Sequence, residues 1–436
     1  MTTTDLAQVA ISRRHLYGAL VLLFFVSFFN YMDRFMLSVL LPAIKRDLDL
    51  SDTQIGFLSG LAFTLFYALL GIPIARLADR YSRKTIIAIA LTVWSFMTAA
   101  CGLAQNFLQL AIARVMVGVG EAGASPASHS LIADYFPRAS RGRALSVYTL
   151  GAPVGIFIGF SVGSWIAETY SWRVALMVLG LPGVALAAIL YFSLREPTRG
   201  QSDGLPADGG LHLPLWQTIR ALFRKRTFFH LALANGFYTV LWMGVVQWLP
   251  IFFTRVHDMS LAATGTALAF ILGGAQFCGL LAGGIVADQL GRRNLRWYVW
   301  VPALSIFVST PFFFVIFLAT NQTIALVVLV VPFLISLMQG APTWAVAQGV
   351  AAPHMRAMSS AVLLLVTNLI GGGIGPQAVG LLSDWFTPSY GDDGLRYALL
   401  IISVLFGFWA VVHYAIAGRT IAQDFENPAT ASAGRT

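Results

Sequence analysis

Long apolar runs alternate with short charged stretches over the whole chain. Twelve of these runs are about 20 residues long or longer, which is the length that an α-helix needs to cross the hydrocarbon core of a bilayer. The pattern predicts an all-α membrane protein with twelve transmembrane helices. The runs lie approximately at residues 16–43, 54–76, 85–104, 107–132, 144–167, 172–193, 227–253, 262–286, 297–319, 323–348, 358–385 and 396–418.

A charged turn follows the second apolar run and returns after the eighth. Asp79 in the first turn and Asp288 in the second are 209 residues apart, which is about half of the chain. Each aspartate is followed by basic residues at offsets of four and five. Basic turns are common in membrane proteins, but a shared spacing with six runs in each half favours a duplication. We therefore predict two six-helix pseudo-repeats in the same orientation.

The composition excludes a soluble protein, because only 11% of the residues are charged and 57% are hydrophobic, whereas soluble domains are about 25% charged. The net charge of +9 could indicate a nucleic-acid partner. However, if the N-terminus is inside, 21 of the 28 lysines and arginines fall in cytoplasmic stretches, five outside and two within the membrane. The positive-inside rule then places both termini in the cytoplasm. We expect a multi-pass protein of the cell (inner) membrane with no nucleic-acid partner.

The runs and turns divide the chain into four regions. We predict a first six-helix bundle at residues 1–194, a cytoplasmic linker with an amphipathic helix at 195–226, a second six-helix bundle at 227–418 and a cytoplasmic tail at 419–436. In the linker, Trp216, Ile219 and Phe223 share one helix face, and Arg220 and Arg224 lie on another. Such a helix is typical of the membrane interface, and we expect it on the cytoplasmic leaflet.

Two acids and two bases lie inside the predicted helices of the first half, namely Asp33, Arg34, Arg114 and Glu121. Ionisable side chains are costly in hydrocarbon and usually face a bundle interior or a water-filled cavity, so this set is the main candidate site. Its net charge is zero. Removal of one member would leave an uncompensated buried charge at a cost of several kcal/mol.

The positions of the four charges along their helices predict how they pair. At a rise of about 1.5 Å per residue, Asp33 and Arg34 lie at nearly the depth of Arg114, and Glu121 lies about 10 Å deeper. We therefore expect an ion pair between Asp33 and Arg114. Burial disfavours a charged carboxylate, so the deeper Glu121 is the better candidate for proton coupling, with Asp33 as a second one. Protonation of Glu121 would leave an arginine ready for an anionic substrate; a fixed network between helices one and four is the alternative.

The second half has polar and aromatic candidates but no comparable buried acid or base. Asn235, Tyr238 and Trp242 share one helix face at offsets of three and seven, although packing alone also explains each of them. A cavity that is charged on one wall and aromatic or apolar on the other suits an amphiphile with an anionic head and a hydrocarbon tail. The predicted substrate contacts are Asn30, Tyr31, Arg34 and Arg114 in the first half and Asn235, Tyr238, Trp242, Gln339 and Asn368 in the second.

The two charged turns resemble the signature between helices two and three of the major facilitator superfamily, Gly-x-x-x-Asp-Arg-x-Gly-Arg-Arg. The first copy has Ala75 and Ser82 where the family prefers glycine, and the second has Gln289 in place of the arginine. The resemblance implies the major facilitator fold and a gate in which the aspartate binds the other half when the cytoplasmic side closes. The implied gating residues are Asp79, Arg80, Arg83, Lys84, Arg143, Asp288, Arg292 and Arg293.

The same resemblance predicts the partners of the two signature aspartates. Asp79 would lie beside the start of helix eleven, near residues 359–360, where a carboxylate complements the helix dipole. Asp288 would do the same near helix five, with Arg141 or Arg143 as an ion-pair partner. Static ion pairs are the alternative to a gate at these positions.

Three stretches together resemble the spinster branch of the superfamily, here in a bacterial form: Asn30–Arg34, the turn Asp79–Lys84, and Arg114 followed by Val117–Ala122. The similarity is strongest over residues 30–150. Animal spinster proteins are implicated in moving sphingosine phosphate and lysophospholipids, so the resemblance implies a lysolipid or sphingolipid-like substrate. We expect a proton-coupled secondary transporter that works as a monomer by alternating access. Its partners would be its substrate, protons and membrane lipids, and a proton gradient would replace any cofactor.

Two other functions stay open. Related bacterial branches carry organic acids and sugar acids with similar helix-one motifs, so a proton symporter for such an anion is the alternative. A non-transporting membrane receptor is a further class, although a sensor has no need of two matched gates. We do not expect an enzyme, because the sequence has no paired-histidine metal motif and no serine nucleophile elbow. Cys101 and Cys278 both fall in apolar runs, so we expect neither a disulfide nor a metal site.

Overall fold

The computed structural model describes residues 13–198, 215–352 and 355–425, and these residues are helical almost throughout, with no β-strand among them. Within these described ranges, eleven helical stretches are long and apolar enough to cross a membrane. The last of them, residues 358–424, turns back at Gly391 and so contains two crossings. The predicted all-α membrane fold with twelve transmembrane helices is confirmed.

We number the twelve helices α1 to α12 and count a helix that is interrupted within its crossing only once. The first half consists of α1 (Arg13–Leu48), α2 (Asp52–Ser59 and Leu61–Arg80), α3 (Arg83–Cys101), α4 (Phe107–Glu121 and Ala124–Tyr135), α5 (Arg138–Thr149 and Gly151–Thr169) and α6 (Trp172–Ser193). The second half consists of α7 (Arg226–Val256), α8 (Leu261–Gly291), α9 (Trp297–Leu318), α10 (Gln322–Ser336, Leu337–Gln339 and Gly340–Gly349), α11 (Arg356–Thr367, Asn368–Gly373 and Ile374–Tyr390) and α12 (Gly394–Asp424).

Six of the helices begin at a polar side-chain cap, and large apolar side chains remain on the outside of the bundle. Side-chain oxygens cap the first turns at Ser51, Ser82, Asn106, Ser171, Ser260 and Asn321. Large apolar side chains such as Phe96, Phe192 and Phe307 remain exposed on the outside. In water this surface would be unfavourable, whereas lipid is as apolar as these side chains, so the pattern is that of a lipid-facing bundle.

A row of glycines on α5 lets α1 pack against it at backbone distance. A Cβ atom placed at Gly151, Gly155 or Gly159 would come within 3.0 Å of a backbone carbonyl oxygen of α1. Small residues at this spacing allow two helix backbones to approach closely. Because α5 covers this side of α1, the side chains of Asn30 and Arg34 point to another side and contact α4.

The two halves contact each other near one face of the membrane. We call this face the distal face; it includes the helix ends at Asp52 and Val256, whereas the terminal face carries the start of α1 at Arg13 and the end of α12 at Asp424. Helix α2 packs on α11, α5 packs on α8, and α1 packs on α7. The polar contacts between the halves that the structure describes all lie toward the distal face, which is therefore closed.

The linker helix, Leu215–Arg224, belongs to the second half by its contacts. Leu222 is buried in a cluster that includes Val350 and Met355, and the Lys225 ammonium group donates a 2.6 Å hydrogen bond to the Val350 carbonyl oxygen. Trp216 remains exposed, so the predicted face of Trp216, Ile219 and Phe223 is only partly the face that packs. Residues 199–214 of the predicted linker and residues 426–436 of the predicted tail lie outside the described residues.

Candidate substrate and proton site

The centre of the candidate site is the carboxylate of Glu121 on α4. It accepts a hydrogen bond of 2.9 Å from the Asn30 amide and one of 2.8 Å from the Arg34 guanidinium, both on α1 and both to Oε2. Glu121 is completely buried, and its Oε1 atom has no hydrogen-bond partner among the described residues. A buried carboxylate with one satisfied and one open oxygen can still receive a proton or a polar ligand.

Glycines on α4 bring Glu121 into this position. A Cβ atom at Gly118 would come within 3.0 Å of the Phe63 carbonyl oxygen on α2, and one at Gly120 would come within 3.0 Å of Trp94 on α3. Only residues without a side chain allow α4 to sit this close to both neighbours. The contact fixes the rotation of α4 so that Glu121, the next residue, points toward α1.

Arg34 lies among three aromatic rings, two of which the sequence did not predict. Its guanidinium carbon is 4.6 Å from the centroid of Phe63, 4.9 Å from that of Tyr67 and 5.7 Å from that of Tyr31. Aromatic faces stabilise a cation that has left water. Phe63 and Tyr67 stand four residues apart on α2 and therefore on one helix face, which is the signal that could have identified them. The predicted contact Tyr31 does adjoin the site.

The predicted ion pair between Asp33 and Arg114 is wrong. Glu121 pairs with Arg34 instead, while Asp33 accepts a long 3.4 Å hydrogen bond from Thr98 on α3, and its Oδ1 atom has no partner among the described residues. Neighbouring residues on a helix point about 100° apart, so Asp33 and Arg34 face different helices. The depth argument failed because it compared backbone positions and neglected the reach of the long arginine side chain.

Arg114 completes the charged set and forms no ion pair with another described residue. Its side chain is buried, its guanidinium carbon is 5.4 Å from the centroid of the Phe63 ring, and its Nε atom has no hydrogen-bond partner among the described residues. Phe63 thus adjoins both arginines of the set. The four charged side chains form one neutral cluster in which Arg34 is largely buried and the other three are buried. It contains one tight pair, Arg34 with Glu121, and two members that are less firmly bound.

In the second half, the predicted residues on α7 form an aromatic and amide wall. The Asn235 amide donates a 2.7 Å hydrogen bond to the Thr367 hydroxyl on α11. Tyr238 stacks on Trp242, and the Trp242 ring lies 4.7 Å from that of Phe333. Asn235 and Tyr238 are buried, so in this conformation they contact neighbouring helices.

Gln339 and Asn368 lie where their helices depart from α-geometry. Gln339 ends a 3₁₀ turn of α10, and its side-chain oxygen accepts hydrogen bonds from Thr343 and from Tyr414, at 3.0 and 2.9 Å. This network satisfies Gln339 within the second half. Asn368 begins the π-helical turn of α11 and is half-buried. Such turns often occur at functional sites.

Two of the predicted gating residues make contacts inside the first half. Arg83 is buried and forms ion pairs with Asp134 and, at 2.8 Å, with Glu196. The Lys84 ammonium lies 5.3 Å from the ring centroid of Tyr191. Burial alone would raise the pKa of the Glu196 carboxyl, but the backbone N–H of Lys84 and the Arg83 side chain outweigh it and lower that pKa. In this conformation these residues hold α3, α4 and the chain after α6 together.

The predicted contact of Asp288 with Arg141 or Arg143 is absent in this conformation. Asp288 accepts a 2.8 Å hydrogen bond from Tyr298 in its own half, and Arg141 donates to the carbonyl oxygens of Ala133 and Phe136. The contact fails because the halves meet at the distal face, away from the signature turns. The side chain of Asp79 lies outside the described residues, and the remaining gating candidates Arg80, Arg143, Arg292 and Arg293 are exposed.

The sequence did not predict a polar cluster that lies at the distal face. The carboxylate of Asp52 binds both terminal nitrogens of Arg255, at 2.7 and 2.6 Å, together with Ser383 at 2.6 Å and the ammonium of Lys45. Asp52 belongs to the first half, and Arg255 and Ser383 belong to the second. Lys45 and Arg255 are two of the five basic residues that the topology prediction places outside, and their convergence on one carboxylate needs the tertiary structure.

Comparison with known proteins extends along most of the chain. The sequence profile described as Major Facilitator Superfamily matches residues 23–376. A protein named MFS-type efflux pump, from Mycolicibacterium smegmatis, is 32% identical over 411 residues, which cover 94% of each chain. A protein named hexuronate transporter, from Bacillus subtilis, is 27% identical over 425 residues, which cover 94% of this chain and 97% of the relative.

A solved structure shares the fold. The crystal structure of a bacterial homolog of the human lysosomal transporter Spinster, in an inward-facing and unoccupied conformation, matches with a TM-score of 0.86 and 28% sequence identity. The match covers 96% of this chain and 100% of that chain.

Proposed function

The chain belongs to the Major Facilitator Superfamily, and on that premise we propose that it is a proton-coupled carrier for an amphiphilic or anionic substrate. Its relatives and its fold are those of transporters, so it is a transporter and not an enzyme. We further propose that it resides in the cell (inner) membrane as a monomer with its terminal face in the cytoplasm. The conformation is then inward-facing, with the outside closed.

The observation that carries the proposal is the pairing of Arg34 with Glu121. An arginine that is largely buried, surrounded by aromatic rings and neutralised by one carboxylate is suited to hold an anion. The carboxylate competes with any anionic substrate for that arginine. When Glu121 takes up a proton, the competition ends and Arg34 needs a new counter-charge.

This competition links proton and substrate binding. A proton on Glu121 favours an anion on Arg34, and an anion on Arg34 favours a proton on Glu121, because linkage between two sites is reciprocal. Loading both together keeps the buried cluster neutral. The binding step therefore follows the logic of symport. Asp33, which does not bond to Arg34, acts in this proposal as a second proton-coupling group.

The substrate class follows from the contrast between the two walls. The first half offers Arg34 and Arg114, and the second offers Tyr238 and Trp242 with Asn235 beside them. We propose a lysolipid or sphingolipid-like molecule whose anionic head binds the first wall and whose chain lies against the second. The resemblance to the Spinster homolog supports this choice.

A sugar acid or other organic anion is the second candidate. It needs the same arginine for its carboxylate, and hydroxyl and amide side chains on α7 and α11 would hold its hydroxyl groups. The similarity to the hexuronate transporter along nearly the whole of both chains favours this candidate. A receptor without transport is the third class, and two signature turns in matched positions speak against it.

The deciding experiment is a flux assay in proteoliposomes with a lysophospholipid panel and a hexuronate panel, each under an imposed pH gradient. We expect gradient-driven accumulation of members of one panel. Glu121→Gln should abolish accumulation by the gradient and retain exchange of substrate for substrate, since exchange needs no proton to leave. Unchanged dependence on the gradient in this variant would refute the proton assignment, and absence of flux for both panels would refute the substrate proposal.

A further inference from the structure

Two carboxylates at the distal face cap helices of the opposite half. Asp384 on α11 accepts hydrogen bonds from the backbone N–H groups of Asp52 and Thr53, at 3.0 and 2.7 Å, in the first turn of α2. Glu168 on α5 accepts one of 2.5 Å from the backbone N–H of Ala262 in the first turn of α8. N–H groups in a first turn have no partner in their own helix, and a carboxylate there also complements the helix dipole.

The internal repeat relates these two caps. Thr53 and Ala262, which donate the capping hydrogen bonds, are 209 residues apart, the separation of the two signature aspartates. The serines that begin the two helices, Ser51 and Ser260, have the same separation. Each half therefore donates through the start of its second helix and accepts through the end of its fifth. One chance contact would not recur at the repeat spacing.

Glycines one turn further along bring the helices close enough for the caps to form. A Cβ atom at Gly56 on α2 would come within 3.0 Å of the Pro376 carbonyl oxygen on α11. A Cβ atom at Gly265 on α8, again 209 residues later, would meet the Ser164 hydroxyl oxygen on α5 at a still closer approach. The distal face is thus closed by two equivalent backbone-distance contacts, each with its own carboxylate cap.

The two contacts differ in one respect. Beside the Asp384 cap, Asp52 adds its ion pair with Arg255 and its hydrogen bond from Ser383. The equivalent position in the second half is Leu261, which supplies no charge. The contact between α5 and α8 depends on the Glu168 cap alone among the hydrogen bonds between these helices that the structure describes.

We propose that Glu168 and Asp384 are paired latch residues that keep the distal face closed, and that both caps break when this face opens. They are positioning residues: Glu168 acts through the first turn of α8 and Asp384 through the first turn of α2, and neither contacts Arg34 or Glu121. The assignment of opening to a transport cycle rests on the proposed function. A cap that exists only in the closed state shifts the population toward the open state when it is removed.

The test measures distances between the halves at the distal face. Spin labels at two exposed positions report opening in a chain whose native cysteines are replaced by alanine. These positions are Gln105, on the loop before α4, and Gln322, the first residue of α10. We expect Glu168→Ala and Asp384→Ala each to raise the ratio of open to closed molecules about fivefold, equivalent to about 1 kcal/mol for one cap. In the double variant the two increases should multiply, because the caps lie on separate helix pairs.

Asp47→Ala is the matched control. Asp47 pairs with Arg173 at the same face but within the first half, so its loss removes an ion pair without touching the contact between the halves. Distance distributions of both latch variants that equal that of the control would overturn the proposal. If an alanine variant fails to fold, Glu168→Gln and Asp384→Asn should give smaller shifts in the same direction, and no shift in these would overturn it as well. The measurement uses no substrate, so a failed transport assay leaves its outcome unchanged.

Discussion

Replacement of Glu121 by glutamine tests the competition between this carboxylate and an anionic substrate for Arg34. Glutamine has nearly the same shape as a protonated glutamate and can keep the hydrogen bond from Asn30. It removes only the negative charge that neutralises Arg34 at 2.8 Å. We expect Glu121→Gln to bind its anionic substrate more tightly than the wild type at neutral and mildly alkaline pH.

The size of the effect follows from the contact. Two unit charges about 4 Å apart attract by about 4 kcal/mol at an effective dielectric constant near 20. Desolvation offsets part of this attraction, and hydrogen bonds to charged groups contribute about 1.5–3 kcal/mol net. In Glu121→Gln the anion no longer has to displace a carboxylate from Arg34, so it should bind about 10- to 150-fold more tightly than to the wild type. In the wild type the same gain should come from acidification.

The assay is titration calorimetry of the purified protein with the substrate identified by flux, from mildly acidic to mildly alkaline pH. We expect affinity to rise with acidity in the wild type and to be high and nearly independent of pH in Glu121→Gln. Asp33→Asn is the matched comparison, because it removes a buried carboxylate that does not bond to Arg34, and its affinity should tighten less than that of Glu121→Gln. If Glu121→Gln binds no more tightly than wild type at any pH, the competition mechanism is incorrect.

Three further results are expected. Asp33→Asn and Arg114→Gln should each leave an uncompensated buried charge. Each should slow substrate flux and lower the melting temperature, because the uncompensated charge lowers the free energy of unfolding by several kcal/mol. Gly155→Ala should lower thermal stability by about 1–3 kcal/mol, because its Cβ would collide with the Phe28 carbonyl oxygen and force α1 from α5. The fold lowers the pKa of the Glu196 carboxyl, so this group should stabilise the folded protein fully at a pH above its ordinary pKa. The stabilisation should be lost as the pH falls through the lowered pKa, and unfolding measured at decreasing pH checks this.

Each of these results has an internal control. A double variant of the two buried charges that transports at the wild-type rate would show that the charges are dispensable. Gly18→Ala is the control for the helix seam, because a Cβ there meets nothing within 4 Å, and equal losses for both glycine variants would contradict the seam. For the acid effect, Glu196→Gln should be less stable than wild type at neutral pH and lose less on acidification.

The candidate site was predictable as a set of residues but not as a geometry. Arg34 and Glu121 stood out because charge is rare in apolar runs, and this signal needs no knowledge of the fold. Their pairing depends on helix rotation, which the glycines of α4 and α5 determine through contacts with other helices. Phe63 and Tyr67 share a helix face through their four-residue spacing, but this signal is weaker than a buried charge, because an aromatic residue in an apolar run is ordinary.

The sequence by itself determined three features: twelve apolar segments long enough to cross a bilayer, an internal repeat with a spacing of 209 residues, and a few charged residues inside the apolar segments of the first half. The length, periodicity and charge of a segment are local properties, so they can be recognised without the tertiary structure. Only the tertiary structure decided which side chains meet, because partners such as Asp52 and Arg255, or Glu168 and Ala262, come from different halves. It also decided which face is closed, since the same sequence must form both open and closed contacts in the proposed alternating-access cycle.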